Sequence, residues 1–287
     1  MKKLQLTFTM LFMLGITAIA HAQLPTHTLS GEISGITRNL VNDTVYLLSG
    51  FVYVEDGATL NIEPGTIIRG EKDTKGSLII TRGSKINALG TVDQPIVFTS
   101  NEPEGARNYG DWGGLIILGD APINVPGGIA VIEGGVDTPE GDGTYGGANA
   151  ADNSGSLIYV RIEYPGIPFV AGNEINGLTC GGVGSGTVID HVMVSRSGDD
   201  AFEFFGGTVN AKYLIAHNMQ FDINVLGAEL LRLNVTPAKE ATKVCTMKEG
   251  TNYCKIPSFR GYKWPTLTEL HTKLFGEGFE GAGGAAG

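Results

Sequence analysis

The sequence predicts an all-β protein, a parallel solenoid of short strands, joined to a shorter segment of α/β character. Three observations carry that expectation. Short runs rich in β-branched residues recur from Val45 to Ile215, each closed by glycine or a turn residue. Some of these runs echo one another at offsets of 26 and 21 residues. Near Tyr213–Asp222 the chain changes from glycine-rich and acidic to helix-forming and nearly neutral.

Residues 1–22 have the order of a secretory signal: Lys2 and Lys3, an apolar run from Leu4 to Ile19, and the small-x-small site Ala20-His21-Ala22 before Gln23. Thr7, Thr9 and Thr17 interrupt the run, which is short for a membrane span. The expectation is an exported protein (periplasm, cell surface or extracellular) with no membrane span in the mature chain. Residues 23–213 hold 23 acidic against 10 basic side chains, giving −13, whereas 214–287 hold 7 against 8, giving +1. A surface at −13 repels nucleic acid and anionic lipid, so neither is expected as a partner of the first part. Only Cys180, Cys245 and Cys254 occur, with no zinc-type spacing. An oxidising compartment would permit Cys245 to pair with Cys254. Burial must therefore hold the fold, and residues 23–213 are enough chain for a sizeable core.

The expected strands are Val45–Leu48, Phe51–Val54, Thr59–Ile62, Thr66–Ile68, Ser77–Thr81, Lys85–Ala88, Ile96–Thr99, Leu115–Leu118, Leu157–Ile162, Val188–Val194 and Tyr213–Ile215. Glu55–Ile62 is echoed by Thr81–Ala88 at an offset of 26, and Gly65-Thr66 by Gly90-Thr91. Thr187–Val192 is echoed by Thr208–Tyr213 at an offset of 21. Repeats of this length mean one structural unit per period, none able to bury its apolar face alone. With strands and no intervening helix, the solution is a coil per period, successive coils pairing in register. A β-sandwich gives no reason for positional echoes. Gly134–Gly155, rich in Gly, Asp, Asn, Thr and Ala, reads as a long loop leaving the solenoid.

Four stretches carry a resemblance: Leu48–Thr66, Gly90–Ser100, Asp111-Trp112-Gly113-Gly114-Leu115 and Ser197–Gly207. They are similar to a family of exported bacterial right-handed parallel β-helix proteins, over residues 30–213. The resemblance implies a secreted or cell-surface protein and leaves activity open. Gly198-Asp199-Asp200 is similar to the paired aspartates of pectin-hydrolysing β-helix enzymes. Inverting hydrolysis needs one carboxyl to protonate the leaving oxygen and another to activate water. Asp190, Asp199, Asp200 and Glu203 are the candidate ligand-binding residues, expected on one face of neighbouring coils. Adjacent carboxylates in a glycine turn equally suit calcium. Trp112 is a candidate sugar-stacking aromatic, against the alternative that it packs on the coil.

From Leu214 the pattern is that of an α/β fold. Phe221, Val225, Leu226, Leu230 and Leu233 fall near one helical face, and a second helix follows Pro265 with Leu267, Leu270 and Leu274. His217-Asn218-x-x-Phe221-Asp222, Tyr262–Leu270 and Leu274-Phe275-Gly276 resemble proofreading 3'-5' exonucleases of the polymerase III epsilon-like kind, over residues 214–282. That resemblance makes Asp222 a candidate metal ligand, and a complete site would hold two divalent ions, Mg or Mn. No Asp-x-Glu first motif occurs, and Gly283 and Gly284 stand where the family has His-Asp. The whole reads as a chimera joined near 213–222, its last part a partial ribonuclease H-like segment able to cap the last coil.

The preferred expectation is an exported β-helix protein with a structural or ligand-binding role, carbohydrate or calcium, and no catalysis. The alternatives are a β-helix polysaccharide-degrading enzyme and an exonuclease fragment inactive as written. One carboxylate cannot hold two ions, so purified protein should degrade no DNA with Mg or Mn present; Asp222-dependent degradation would refute this.

Overall fold

A computed structural model describes residues 24–170, 173–210, 213–216, 242–259 and 261–275. The secretory segment 1–22, the helix expected over Phe221–Leu233 and the motif His217–Asp222 lie outside the described residues. So do Gly283 and Gly284.

The expected β-rich runs form coils stacked on one another. β1 (Thr26–Ser34) makes the first coil, and β2 (Thr37–Leu40) with β3 (Val45–Glu55) the second. β4 (Thr59–Ile62), β5 (Ile67–Gly70) and β6 (Ser77–Ile80) make the third; β7 (Lys85–Leu89), β8 (Ile96–Ser100) and β9 (Leu115–Leu118) make the fourth. An excursion over 119–154 then carries the antiparallel hairpin of β10 (Ala130–Val131) and β11 (Thr144–Tyr145). The fifth coil is β12 (Gly155–Glu163), a small hairpin of β13 (Pro168–Val170) and β14 (Asn173–Glu174), then β15 (Leu178–Gly181). β16 (Val188–Ser195) and β17 (Phe202–Phe205) make the sixth.

Every pairing between coils is parallel, and three sheets result. The first runs β2, β4, β7 and the first halves of β12 and β16. The second runs through the first halves of β1 and β3, then β5, β8 and the second halves of β12 and β16. The third runs through the second halves of β1 and β3, then β6, β9, β15 and β17. The architecture is a parallel β-helix. The echo at 26 residues is its register, since Thr59 lies opposite Lys85, Leu60 opposite Ile86 and Ile62 opposite Ala88. The Gly65-Thr66 and Gly90-Thr91 echo is not in register: Ile67 lies opposite Val97, because the fourth coil has a longer corner there. The echo at 21 residues is not a strand pair among the described residues. Thr208 and Val209 instead donate to the Val183 carbonyl at 2.8 and 3.0 Å.

Alternation along each strand sends one set of side chains inward, where like positions stack. Leu40, Ile62, Ala88, Leu157 and Ile189 form one row, and Tyr46, Ile68, Phe98, Ile162 and Val194 another. Val54, Ile80, Ile117 and Cys180 form a third, all within the main core. Outward on the first sheet, Asn61 Nδ2 donates to Asn39 Oδ1 at 2.9 Å and Asn87 Nδ2 to Asn61 Oδ1 at 3.0 Å. The third sheet is buried on both faces at β6, β9 and β15, which explains the unbroken apolar run of β9. Tyr53, Ile79, Ile116 and Leu118 on its outer face meet Ile132, Val136 and Tyr145 of the excursion in a second apolar cluster. Gly134–Gly155, expected as a loop leaving the solenoid, in part folds back over that sheet.

The Asp111-Trp112-Gly113-Gly114 motif is where the fourth coil returns to the stack. Asp111 is buried and accepts from Ser100 Oγ at 2.8 Å, the Asn108 amide at 2.8 Å and Lys72 Nζ at 3.0 Å. Trp112 is 0 % exposed, stacks on Phe98 with centroids 6.4 Å apart, and donates from Nε1 to the Glu163 carbonyl at 2.8 Å. It has room because Gly70 lies beneath it: a Cβ there would stand 2.4 Å from Trp112 Cβ.

In the last part β18 (Tyr213–Ala216) pairs in parallel with β19 (Thr242–Cys245), which leads into α1 (Thr246–Cys254). A hairpin of β20 (Pro257–Ser258) and β21 (Gly261–Tyr262) precedes α2 (Leu267–Phe275). The second helix follows Pro265 as expected, but its cap is Thr266. The Thr266 amide donates to Glu269 Oε2 at 2.8 Å and the Glu269 amide to Thr266 Oγ1 at 3.1 Å, a capping box. Leu270 is buried, whereas Leu274 is half exposed. Cys254 is a buried free thiol, so the disulfide with Cys245 is absent.

Trp112→Ala removes the largest fully buried side chain and should lower stability by about 3–5 kcal/mol in a urea titration, most of that persisting as an unfilled cavity. Gly70→Ala, which forces the indole to move, should also destabilise, measured the same way.

Candidate functional site

The corner joining the second sheet to the third is built from stacked turns. Gly110 and Gly198 both donate their amides to the Pro165 carbonyl, at 2.9 and 2.8 Å. Gly166 between them has φ +90°, and a Cβ on it would lie 2.5 Å from the Gly198 nitrogen, so only glycine fits. On this base Asp199 and Asp200 stand exposed at the sixth coil, and Asn176 lies buried at the fifth. Gly177 donates to the Asp200 carbonyl at 2.9 Å, continuing the third-sheet register into the turn.

Asn176 ties three chain segments together. Its Oδ1 accepts from the Asp200 amide at 3.1 Å, and its Nδ2 donates to Glu203 Oε2 and, at 3.4 Å, faces Glu133 Oε1. Glu203 points outward from β17 opposite Thr179 of β15, and Glu133 arrives from the excursion. Burial pushes the Glu203 carboxyl up to about 7; the charge and hydrogen bond of Glu133 add to it, then Asp200 and Asp199. Tyr145 is raised by burial and then by Glu133 and Glu203, and its ring lies 6.0 Å from Phe205. Glu203 can thus keep a proton near neutrality and donate it. Glu133, however, is held on the same donor, Asn176 Nδ2, that engages Glu203. Glycoside hydrolases hold their two carboxyls about 5–5.5 Å or about 6.5–9.5 Å apart, leaving room for a sugar carbon or a water. Here both carboxyls are engaged by one amide group, Asn176 Nδ2.

Asp199 and Asp200 lie in the turn that leads into β17 and raise the Glu203 carboxyl by their charge, so these three share one coil and not neighbouring coils. Asp190 does not join them: it belongs to the first sheet, in β16, with its carboxylate 2.9 Å from His191 Nδ1. Two corners of the coil separate Asp190 from Glu203, so position along the chain misplaced it. Trp112 cannot stack on a sugar, because it is wholly buried between Gly70 and Phe98. Among the described residues no three His, Cys, Asp or Glu side chains are grouped to hold a metal ion. Asp222 lies outside the described residues.

Stacked parallel coils around an apolar interior define a β-helix protein. Comparison with known proteins agrees, and the chain belongs to the family described as the Pectate-lyase like beta helix domain, which it matches over residues 31–225. No curated protein and no solved structure matches it. The matched span includes His217–Asp222, the stretch that resembles an exonuclease motif, and no comparison supports an exonuclease fragment.

Sequence reasoning missed Glu133, Asn176 and Tyr109. Glu133 lies in a glycine-rich excursion far from Glu203 in sequence, and only the folding back of that excursion brings them together. Tyr109 is 58 % exposed immediately before Gly110, on the same stack of turns as Asp199. Its position next to the Asp-Trp-Gly-Gly motif was the available signal.

Titration of the Glu203 carboxyl by carbon NMR should give a midpoint near 7. In Glu133→Gln the midpoint should move down, because a neighbouring negative charge is gone.

Proposed function

We propose that the chain is an exported, right-handed β-helix protein that binds neutral carbohydrate at the stacked corners of its fourth to sixth coils without cleaving it. The reading rests above all on Tyr109 and the Asp199-Asp200 turn sharing one rigid stack: exposed ring, exposed carboxylates, and glycine amides fixed on the Pro165 carbonyl. Sugars bind by laying an apolar ring face on an aromatic and giving their hydroxyl protons to acceptors such as carboxylates. An acidic surface favours a neutral polymer over a uronic-acid one. The engagement of both Glu133 and Glu203 by Asn176 supports binding over hydrolysis. Export rests on the signal-like residues 1–22, and N-terminal sequencing of secreted protein should begin at Gln23.

A second reading, a polysaccharide hydrolase, draws on the raised Glu203 carboxyl, which has the protonation of a general acid near neutral pH. One experiment separates them. Isothermal titration with soluble neutral glycans should show binding that Tyr109→Ala weakens at least about tenfold, the effect of losing roughly 1.4 kcal/mol of stacking. Asp199→Asn with Asp200→Asn should weaken it as well, and no reducing ends should appear on incubation. Release of reducing sugar that Glu203→Gln abolishes would establish the hydrolase instead. Absence of binding to every neutral glycan tried would end the binding proposal.

A further inference from the structure

The excursion over 119–154 is fastened to the body at several points. Tyr53 donates its hydroxyl to the Val136 carbonyl at 2.8 Å, and Arg82 Nη1 donates to the Gly146 carbonyl at 3.0 Å. Apolar packing of Ile132, Val136 and Tyr145 on Ile79, Ile116 and Leu118 does the rest. One fastening differs in kind. Glu133 of the excursion meets Glu203 of the last coil on one buried side chain, both carboxyls facing the same Asn176 amide nitrogen. Two ionised carboxylates held on one amide nitrogen repel, so a proton on Glu203 favours the closed arrangement.

We propose that the Glu133–Glu203 pair is a proton-operated clasp, which holds the excursion on the third sheet while the proton is present and releases it when the proton is lost to solvent. The groups facing it are Asp199 and Asp200 from the turn before β17, Asn176 from the segment before β15, Thr179 opposite Glu203 in β15, and Tyr145 from β11. Those that shift it are all acidic, and no cation is among them. Loss of the proton therefore leaves repulsion uncompensated, with Asn176 able to donate to both carboxylates only through a single amide group. The outer faces of Ile116 and Leu118 are what opening would expose.

The direction with pH follows from burial and like charge, which raise the folded value from the ordinary 4.5 to about 7. A raised acid contributes closure that is complete below 4.5 and is lost as pH rises to 7. Glutamine at either position donates a hydrogen bond and carries no charge, mimicking the protonated carboxyl at every pH.

Hydrogen–deuterium exchange of the full chain, corrected for intrinsic rates, tests the clasp. Peptides within 130–146 should exchange at least about tenfold faster at pH 8 than at pH 5, the equivalent of one pKa unit of coupling, while peptides within 59–80 should not change. Glu203→Gln should hold exchange of 130–146 at the slow value across that range, and Glu133→Gln should do the same, which keeps the test decisive if the first variant does not fold. Equal protection of 130–146 at pH 5 and pH 8 in the unsubstituted chain would overturn the proposal. So would an unaltered pH dependence in both glutamine variants.

Discussion

The carboxylate of Asp111 fixes the corner at which the fourth coil rejoins the stack. A parallel β-helix depends on each coil returning to the register of the one before, and the fourth coil leaves the stack after Ser100 and returns at Leu115. Asp111 closes that detour by accepting from Ser100 at its start, Asn108 within it and Lys72 on the coil before. A buried carboxylate without such donors is costly, and with three of them it fixes geometry. Trp112 follows at once into the interior, so one polar anchor and one large apolar side chain lock the same corner from its two sides. The fifth and sixth coils inherit their register from it, and with them the turn that carries Asp199 and Asp200.

A second constraint comes from the third sheet, which is the only one covered on its outer face by an excursion of the chain among the described residues. Burying both faces requires apolar side chains at consecutive positions, and Leu115-Ile116-Ile117-Leu118 supply them. Where the cover ends, the outward positions turn polar. Thr179 and Glu203 continue the row that Ile79 and Ile116 began. The acidic group at Glu133 and Glu203 thus sits at the margin of an apolar layer, half-shielded from water, which is why burial leads among the causes of its altered ionisation.

Much of this was legible in the sequence. The runs at Val45, Thr59, Ser77, Lys85, Ile96, Leu115 and Val188 are strands because β-branched residues alternating with turn residues leave little else open to them. The echo of Glu55–Ile62 in Thr81–Ala88 is the spacing of neighbouring coils. Thr26–Ser34, Thr37–Leu40, Leu178–Gly181 and Phe202–Phe205 were not recognised as strands. The first two are polar because they lie at the open end of the stack; Leu178–Gly181 is embedded in a glycine-rich stretch, and Phe202–Phe205 has no β-branched residue to mark it. Sites were harder to read than strands. Asp199, Asp200 and Glu203 lie within five residues and stay together in the fold. Asp190 sits on another sheet of the same coil, since two corners turn the chain between them. Glu133 and Asn176 carried no signal, because what brings them to Glu203 is the path of a long excursion. Trp112 was ambiguous for a physical reason: a tryptophan beside two glycines fits an exposed platform and a filled gap equally well, and only Gly70, forty-two positions earlier, decides between them.

All of the long departures from the stack (after Ser100, Leu118 and Glu163) occur at corners, and each ends with the chain back in its former register. Length in such a chain is therefore a free variable between rungs and a fixed one within them. Descent with modification can lengthen, shorten or exchange a corner segment while the rungs are inherited unchanged. Relatives of this protein are then expected to share their interiors and differ in their margins.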